Sequence, residues 1–412
     1  MYIQRSIEKL LPGILATFPC LAVTGPRQSG KSTLLRHALP DYRYITLDDP
    51  AVLEQAHSDP VYFLDSLGER CIIDEIQFAP GLLSYVKMRV DEDRSRNGRF
   101  VFTGSQQFGM IRNLGDSLAG RIALLDLLPF AAEEMQQTTA VTSGLELFAS
   151  SCLTGAYPQL ATTPEIDRRL WYSSYIQTYL ERDIRSLYDI GSLREFHRFM
   201  QLLAIRCSQM LNMSSFATDL GISVTTIKRW LSVLEAGRII YILPPHFNNL
   251  GKRITKMPKI YFLDTGLACH LAGVRDREQL LEGSMAGALF ENYCIQETIK
   301  IYANRGEQPR ISYLRTNNGL EVDLIIEGDN MRVLPVEIKL SRTPTAALAS
   351  GLTRYASLFA ETKPDDGLLL CLADGERPLS RGVTAIGIED YLRMLSSVHR
   401  RRAGYHLPQG VW

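Results

Sequence analysis

The first 136 residues alternate apolar runs with helix-like stretches. Phe18–Val23, Tyr42–Asp48, Arg70–Glu75, Arg99–Gly104 and Ile122–Leu128 each read as a strand, and Thr33–Ala38 as the helix after the first of them. Strands that alternate with helices predict a parallel sheet covered on both faces. Gln137–Gly144 is polar and turn-rich, as a linker is. Leu170–Leu187 spaces aromatic and aliphatic residues as one helix does. Arg182 and Asp183 fall on it, facing a nucleotide, a neighbouring domain or solvent. Asn212–Pro244 has a helix-turn-helix pattern. Ser214 or Ser215 caps a short helix ending near Leu220. Gly221 supplies the turn, and Val224–Leu234 forms a second helix with Ile227, Leu231 and Leu234 on one face. Ile239–Leu243 reads as the first strand of a wing. The last third is a second α/β unit: a helix Ala288–Tyr302, then strands Ile311–Arg315, Leu320–Ile326 and Val333–Leu340.

Composition narrows the class without deciding it. A chain of 412 residues is long enough for two or three domains. Lys+Arg 45 against Asp+Glu 45 gives a net charge of +0, which excludes a uniformly basic nucleic-acid coat but permits local patches. Lys252, Arg253, Lys256 and Lys259 form such a patch, and residues 399–412 a short basic tail. The 7 cysteines are dispersed with no C-x-x-C pair, which fits free thiols in a reducing compartment rather than a disulfide or zinc framework. Pro12, Gly13 and Pro19 break the apolar stretch Leu10–Val23, so it reads as a helix end plus a core strand, not a signal segment. No later stretch is long and apolar enough to span a bilayer. The expected address is the cytoplasm, with no membrane partner.

Chemistry enters directly after the first strand. Gly25-Pro26-Arg27-Gln28-Ser29-Gly30-Lys31-Ser32 reads G-x-x-x-x-G-K-S between a strand and a helix, the context of a phosphate-binding loop. The glycines let backbone N–H groups turn toward phosphate, and the helix N-terminus adds partial positive charge there. Lys31 reaches the β- and γ-phosphates of ATP, and the Ser32 hydroxyl ligates Mg²⁺; Thr33 completes the binding set. The third strand ends in Asp74-Glu75, a Walker-B arrangement: Asp74 holds Mg²⁺ and Glu75 polarises the attacking water. Thr103 and Ser105, at the end of the fourth strand, are candidates for contact with the γ-phosphate or that water. Arg121 is a candidate arginine finger, acting in its own or a neighbouring subunit, which would make the protein a homo-oligomer. Glu75 suits water activation better than transfer to a bound acceptor, which disfavours a metabolite kinase.

These motifs together resemble a prokaryotic family of AAA-type ATPases whose C-terminal domain is of unknown function. The resemblance rests on the glycine loop, Ile73-Asp-Glu-Ile-Gln77, Thr103-Gly-Ser105 and Leu118-Ala-Gly-Arg121. It continues through Thr154–Pro158, Tyr179–Asp183, Lys259–Leu267 and Leu289-Phe-Glu291, and so covers nearly the whole chain. It implies an ATPase core at 1–136, a helical region with a winged helix-turn-helix at 145–250, and a nuclease-like α/β domain at 251–398.

In the last of these, residues two apart on a strand share a face, so Glu337 and Lys339 point the same way. A hairpin turning at Asp329-Asn330 sets Asp323 opposite Val336 or Glu337. Two carboxylates and an ammonium are what Mg²⁺-assisted phosphodiester hydrolysis needs. The arrangement resembles the PD-(D/E)xK, restriction-endonuclease-like fold, with Val322 in the place of its proline and Glu291 matching the acidic residue of its first helix. Lys228 and Arg229 point outward from the second helix of the helix-turn-helix, toward phosphates or a protein surface. Two functions follow: an ATP-driven switch with a nuclease effector acting on nucleic acid, DNA ahead of RNA, or an ATPase-regulated binding module whose C-terminal domain does no chemistry.

Overall fold

The computed structural model describes residues 2–104, 118–138, 143–180, 193–246, 257–328, 332–359 and 366–397. Ser105, Arg182, Asp183, the Asp329-Asn330 turn, Lys252, Arg253, Lys256 and the basic tail lie outside them.

Five parallel strands form the N-terminal sheet: β1 (Cys20–Thr24), β2 (Arg43–Thr46), β3 (Cys71–Asp74), β4 (Phe100–Thr103) and β5 (Ile122–Asp126), in the order β2-β3-β4-β1-β5. Side chains alternate across it. Ala22, Ile73 and Phe102 pack into one apolar cluster with helix α2 (Leu82–Glu92), while Leu21, Ile72 and Val101 pack into another with α1 (Lys31–Ala38). Both faces of the three central strands are therefore dry, which is why β1, β3 and β4 read as nearly unbroken apolar runs.

The middle of the chain is helical: α3 (Gly144–Leu153), α4 (Pro158–Thr162), α5 (Arg168–Tyr175), α6 (Leu193–Ile205), α7 (Met213–Leu220) and α8 (Val224–Ala236). Of the predicted helix Leu170–Leu187, the part to Tyr175 lies in α5, capped by Asp167, which passes into a π-turn at Ile176–Leu180; residues 181–187 lie outside the described residues. The cap of α7 is Asn212, whose side chain accepts from the Ser215 N–H at 3.1 Å, and not Ser214 or Ser215. Gly221 turns the chain at φ 70°, and Ser223 caps α8. Strand β6 (Ile240–Leu243) pairs antiparallel with β7 (Lys259–Phe262), so this sheet straddles residue 250.

After α9 (Thr265–Ala272), helix α10 (Ala286–Ala303) runs about 27 Å, 18 residues at 1.5 Å each. The second large sheet follows, in the order β12-β13-β11-β10-β9-β8. Its strands are β8 (Ile311–Arg315), β9 (Glu321–Glu327), β10 (Val333–Ile338), β11 (Gly367–Cys371), β12 (Glu376–Ser380) and β13 (Val383–Gly387). Strands β8–β10 are antiparallel, and β11 joins β10 in parallel after the crossover helix α11 (Ser350–Leu358). One face packs on α11 through Val322, Ile325 and Leu369. The other face shares a single apolar core with the helical middle, running from Phe199 and Trp230 through Tyr261 and Phe290 to Tyr313 and Val336. The helical region and the C-terminal sheet are thus one packed body. All seven cysteines are buried free thiols. Among the described residues, no helix is long and apolar enough to cross a membrane.

Candidate nucleotide site and candidate carboxylate site

The glycine loop leaves β1 at the C-terminal edge of the first sheet. Gly25 has φ +143°, and a Cβ there would collide with the carbonyl oxygen of Leu127, so only glycine fits. Gly30, at φ +90°, is the N-cap of α1. Lys31 is buried, its ammonium 3.1 Å from the Gly25 carbonyl oxygen and 2.9 Å from that of Pro26. It therefore lies along the concave side of the loop, where phosphates bind.

Strand β3 delivers Asp74 to the same place. Ser32 Oγ donates to Asp74 Oδ2 at 2.7 Å, and the hydroxyls of Tyr44 and Thr103 also donate to this carboxylate. Thr103 is fully buried, and its hydroxyl holds the Asp74 carboxylate. An alcohol and a carboxylate oxygen side by side are the hard donors that Mg²⁺ takes, so Ser32 and Asp74 fit that ion. Glu75 follows in a left-handed conformation, φ 58°, that a non-glycine residue adopts only when its surroundings enforce it. Gln77 donates to its carboxylate.

A cleft of about 800 Å³ joins these groups. Lys31, Ser32, Thr33, Asp48 and Glu75 line its phosphate end, with Arg27, Gln28 and Gly30 along the loop. Tyr2, Ile3, Phe130, Pro158, Gln159 and Thr162 line the other end, where a base would sit. The wall from α4 was not foreseen. Neither was Arg5, buried beneath the loop, which donates to Ser29 O at 2.9 Å, Leu128 O at 2.7 Å and Glu134 Oε1 at 3.0 Å. An isolated arginine ahead of the first strand carries no motif, so only the fold reveals it.

Arg121 does not join this cleft. It precedes β5, whose first residue pairs with Cys20 at the start of β1, so it stands at the N-terminal edge of the sheet. The five residues of β1, about 16 Å, separate that edge from the loop. Its guanidinium grips Asp91 of α2, Nε to Oδ1 at 2.9 Å and Nη2 to Oδ2 at 3.1 Å, and holds that carboxyl below its ordinary range. Of the two expected ways of acting, reach within the same chain is ruled out by this placement.

The second constellation sits on β9 and β10. Val336 pairs with Leu324, which sets Asp323 across from Glu337. Asp323 is buried; its Oδ2 accepts from the Ile338 N–H at 3.0 Å and lies 3.4 Å from Lys339 Nζ. Lys339 Nζ is 2.8 Å from Glu337 Oε1. Burial, then the charge of Asp323, pushes Glu337 up to about 7. Glu291, on α10, accepts from Tyr261 OH at 2.6 Å, and burial raises it too, to about 7. Lys339 thus touches both carboxylates expected to converge with it, Asp323 and Glu337.

A fifth, Lys259, overturns its expected place in a surface basic stretch. It is 3% exposed, and its Nζ lies 2.9 Å from Glu321, 3.1 Å from Glu291 and 3.5 Å from Asp323. Burial acts to lower its pKa, but Tyr261 and the carboxylates around it carry it well above the ordinary value. Lys228 and Arg229 are exposed on α8. No group of three or more His, Cys, Asp or Glu among the described residues is arranged to hold a metal. The pair Asp323 and Glu337 supplies carboxylate oxygens suited to Mg²⁺, and Glu337 Oε2 is buried with no hydrogen-bond partner among the described residues.

The two sites are bridged by protein. Lys300, on α10, donates to the Phe130 carbonyl at 2.8 Å behind the cleft, and Glu297 Oε2 accepts from the Ala132 N–H at 2.6 Å. Glu291 lies on the same helix. Near the loop, Tyr175 OH donates to Arg27 O at 3.4 Å.

Three family models match in succession. One described as AAA domain matches residues 17–136, and two described as domains of unknown function, DUF8612 and DUF4143, match 145–278 and 286–391. The uncharacterized protein Rv2008c of Mycobacterium tuberculosis and the uncharacterized protein Mb2031c of Mycobacterium bovis are each 30% identical over 343 residues. That span is 83% of this chain and 75% of theirs. Among solved structures, the Walker-type ATPase PABY2304 of Pyrococcus abyssi is 17% identical with a TM-score of 0.45, over 66% of this chain and 96% of that one. The chain belongs to the family of these mycobacterial proteins, and its N-terminal domain is an AAA-type P-loop ATPase domain.

Proposed function

We propose that this protein is an ATP-hydrolysing switch that governs a nuclease-like effector domain acting on nucleic acid, with DNA the first substrate to test. At the nucleotide site, Lys31 and the loop amides bind the phosphates, Ser32 and Asp74 hold Mg²⁺, and Glu75 takes the proton of the attacking water. Arg121 would serve a neighbouring subunit, which makes the active form an oligomer. At the effector site, Asp323 and Glu337 would hold Mg²⁺, which supplies Lewis-acid help to a phosphodiester. Lys339 offsets charge developing on the phosphate, and Glu291 completes the acidic wall. Lys228 and Arg229 on α8 would meet the phosphate backbone, in the manner of a winged helix.

The observation that supports the effector reading is the meeting of Asp323, Glu337 and Lys339 on paired strands after a leading helix, with a crossover helix before the next parallel strand. One observation favours a second reading, a binding module without cleavage: Lys259 and Lys339 already pair with Asp323. Plasmid and single-stranded DNA incubated with the protein and Mg²⁺ or Mn²⁺, with and without ATP, separate the two. Nicking that disappears in Asp323→Asn supports the nuclease. Absence of cleavage of DNA and RNA, with retained binding to them, favours the module.

A further inference from the structure

Lys259 does not belong to the sheet whose carboxylates it meets. It opens β7, the strand that pairs with β6 after the helix-turn-helix. Its ammonium nevertheless lies against Glu291 of α10 and against Glu321 and Asp323 of β9. The other charged groups facing this spot are few. Lys339 lies on Asp323 Oδ2 and on Glu337, and half-exposed Arg315 reaches the outer oxygen of Glu321 at 3.3 Å. The Tyr261 hydroxyl is on Glu291, and the Tyr313 ring lies 5.4 Å from the ammonium.

Among the described residues, four carboxylates thus face three cations, and the oxygens are divided among them. Asp323 Oδ2 is taken by the Ile338 N–H and Lys339, so Oδ1 is the oxygen left for a metal ion, and Lys259 lies on it. Glu337 Oε2, more than nine-tenths buried, has no hydrogen-bond partner among the described residues. A carboxylate oxygen in that state fits a cation not yet in place.

We propose that Lys259 is a built-in competitor of the divalent cation: its ammonium occupies the place on Asp323 and Glu291 that Mg²⁺ or Mn²⁺ would take. This rests on the reading of the cluster as a divalent-cation site. An ammonium and a metal ion a few ångströms apart in a poorly solvated pocket repel strongly, so both cannot hold Asp323 Oδ1. Strand β7 is tied to the wall of the nucleotide cleft. Two residues past its end, Asp264 receives the Tyr172 hydroxyl at 2.6 Å and the Ala156 N–H at 2.8 Å, and the Phe130 N–H at the cleft wall donates to Ala156 O at 2.8 Å. The cleft wall and the chain just past β7 are thus joined through two hydrogen bonds.

The test is Mn²⁺ binding to the full chain by calorimetry, for the parent, Lys259→Gln and Lys259→Arg. Lys259→Gln removes the competing charge and should bind Mn²⁺ at least about tenfold tighter. Its melting temperature should also rise more on adding Mn²⁺ than the parent's. Lys259→Arg keeps the charge and should bind as the parent does. Should Lys259→Gln unfold without metal, millimolar Mn²⁺ should refold it, because the ion replaces the missing cation; failure to refold contradicts the proposal. If the parent binds Mn²⁺ and Lys259→Gln binds it no tighter, the competitor role falls while the cation site stands. If none of the three binds Mn²⁺, the cation-site reading falls and the inference with it.

Discussion

Ser32 Oγ donates to Asp74 Oδ2 at 2.7 Å, tying the first turn of α1 to the end of β3. Two strands apart in sequence, these groups meet because β1 and β3 both end at the C-terminal edge of one parallel sheet, where such folds bind ligands. The pair offers Mg²⁺ one neutral and one charged oxygen. Asp74→Asn keeps the shape and removes the charge. It should leave metal-free ATP binding nearly unchanged and cut the affinity for Mg-ATP about tenfold or more, as loss of a charged contact does. Calorimetric titration with ATP, with and without Mg²⁺, checks both halves.

Arg121 and Asp91 form a bidentate pair on the sheet edge away from the loop. An arginine there can reach a γ-phosphate only in a neighbouring subunit. Arg121→Ala should lower turnover by about a thousandfold with ATP affinity unchanged. Mixing it with Glu75→Gln subunits should restore part of the activity, since each supplies what the other lacks. Parent-like turnover in Arg121→Ala would leave the residue only its bond to α2.

Most of the nucleotide site was legible in the sequence, because glycine spacing, a lysine-serine pair and an acidic strand end are local signals. The three central strands, β1, β3 and β4, were legible for a related reason: burial on both faces makes each a nearly continuous apolar run. What could not be read was anything set by distant packing. Arg5 lies under the loop because three carbonyl and carboxylate acceptors converge there from residues 29, 128 and 134. Lys259 was misplaced because its charge was weighed with Lys252, Arg253 and Lys256 along the chain. Its partners are contributed by α10 and β9. Arg121 matched a motif whose edge of the sheet only the strand register decides.

Lys300 and Glu297 are both almost fully buried on α10, with Nζ to Oε1 at 2.8 Å. Removing one member of a buried pair leaves an uncompensated charge, so Lys300→Met should cost about 3–5 kcal/mol of stability. Converting Glu297 to Met as well should regain much of that loss. Urea unfolding of the three proteins checks the order parent, double variant, single variant.

His246 marks the junction between β6 and β8. Its N–H donates to Tyr313 O at 2.7 Å, its Nδ1 is 3.1 Å from Ser312 Oγ, and half-exposed Glu327 is 3.6 Å away. Burial lowers its pKa below the ordinary 6.5, against a smaller upward pull from Glu327. The unfolded chain then binds the proton more readily than the folded one. The contribution to stability is present above about pH 6.5 and is lost as pH falls through the lowered value. His246→Asn should flatten that part of the profile, measured as urea midpoints from about pH 7 down to 5.

The central claim is that Glu75 activates water for ATP hydrolysis at this site, and one variant tests it most directly. Steady-state ATP turnover and equilibrium ATP binding should be measured side by side for the parent and Glu75→Gln, with Lys31→Ala as the binding-deficient control. Glu75→Gln should bind ATP as the parent does and lose about 100- to 10,000-fold in turnover, the range expected for a removed general base. Lys31→Ala should lose binding itself, by about tenfold or more. Hydrolysis by Glu75→Gln at the parent's rate would contradict the account.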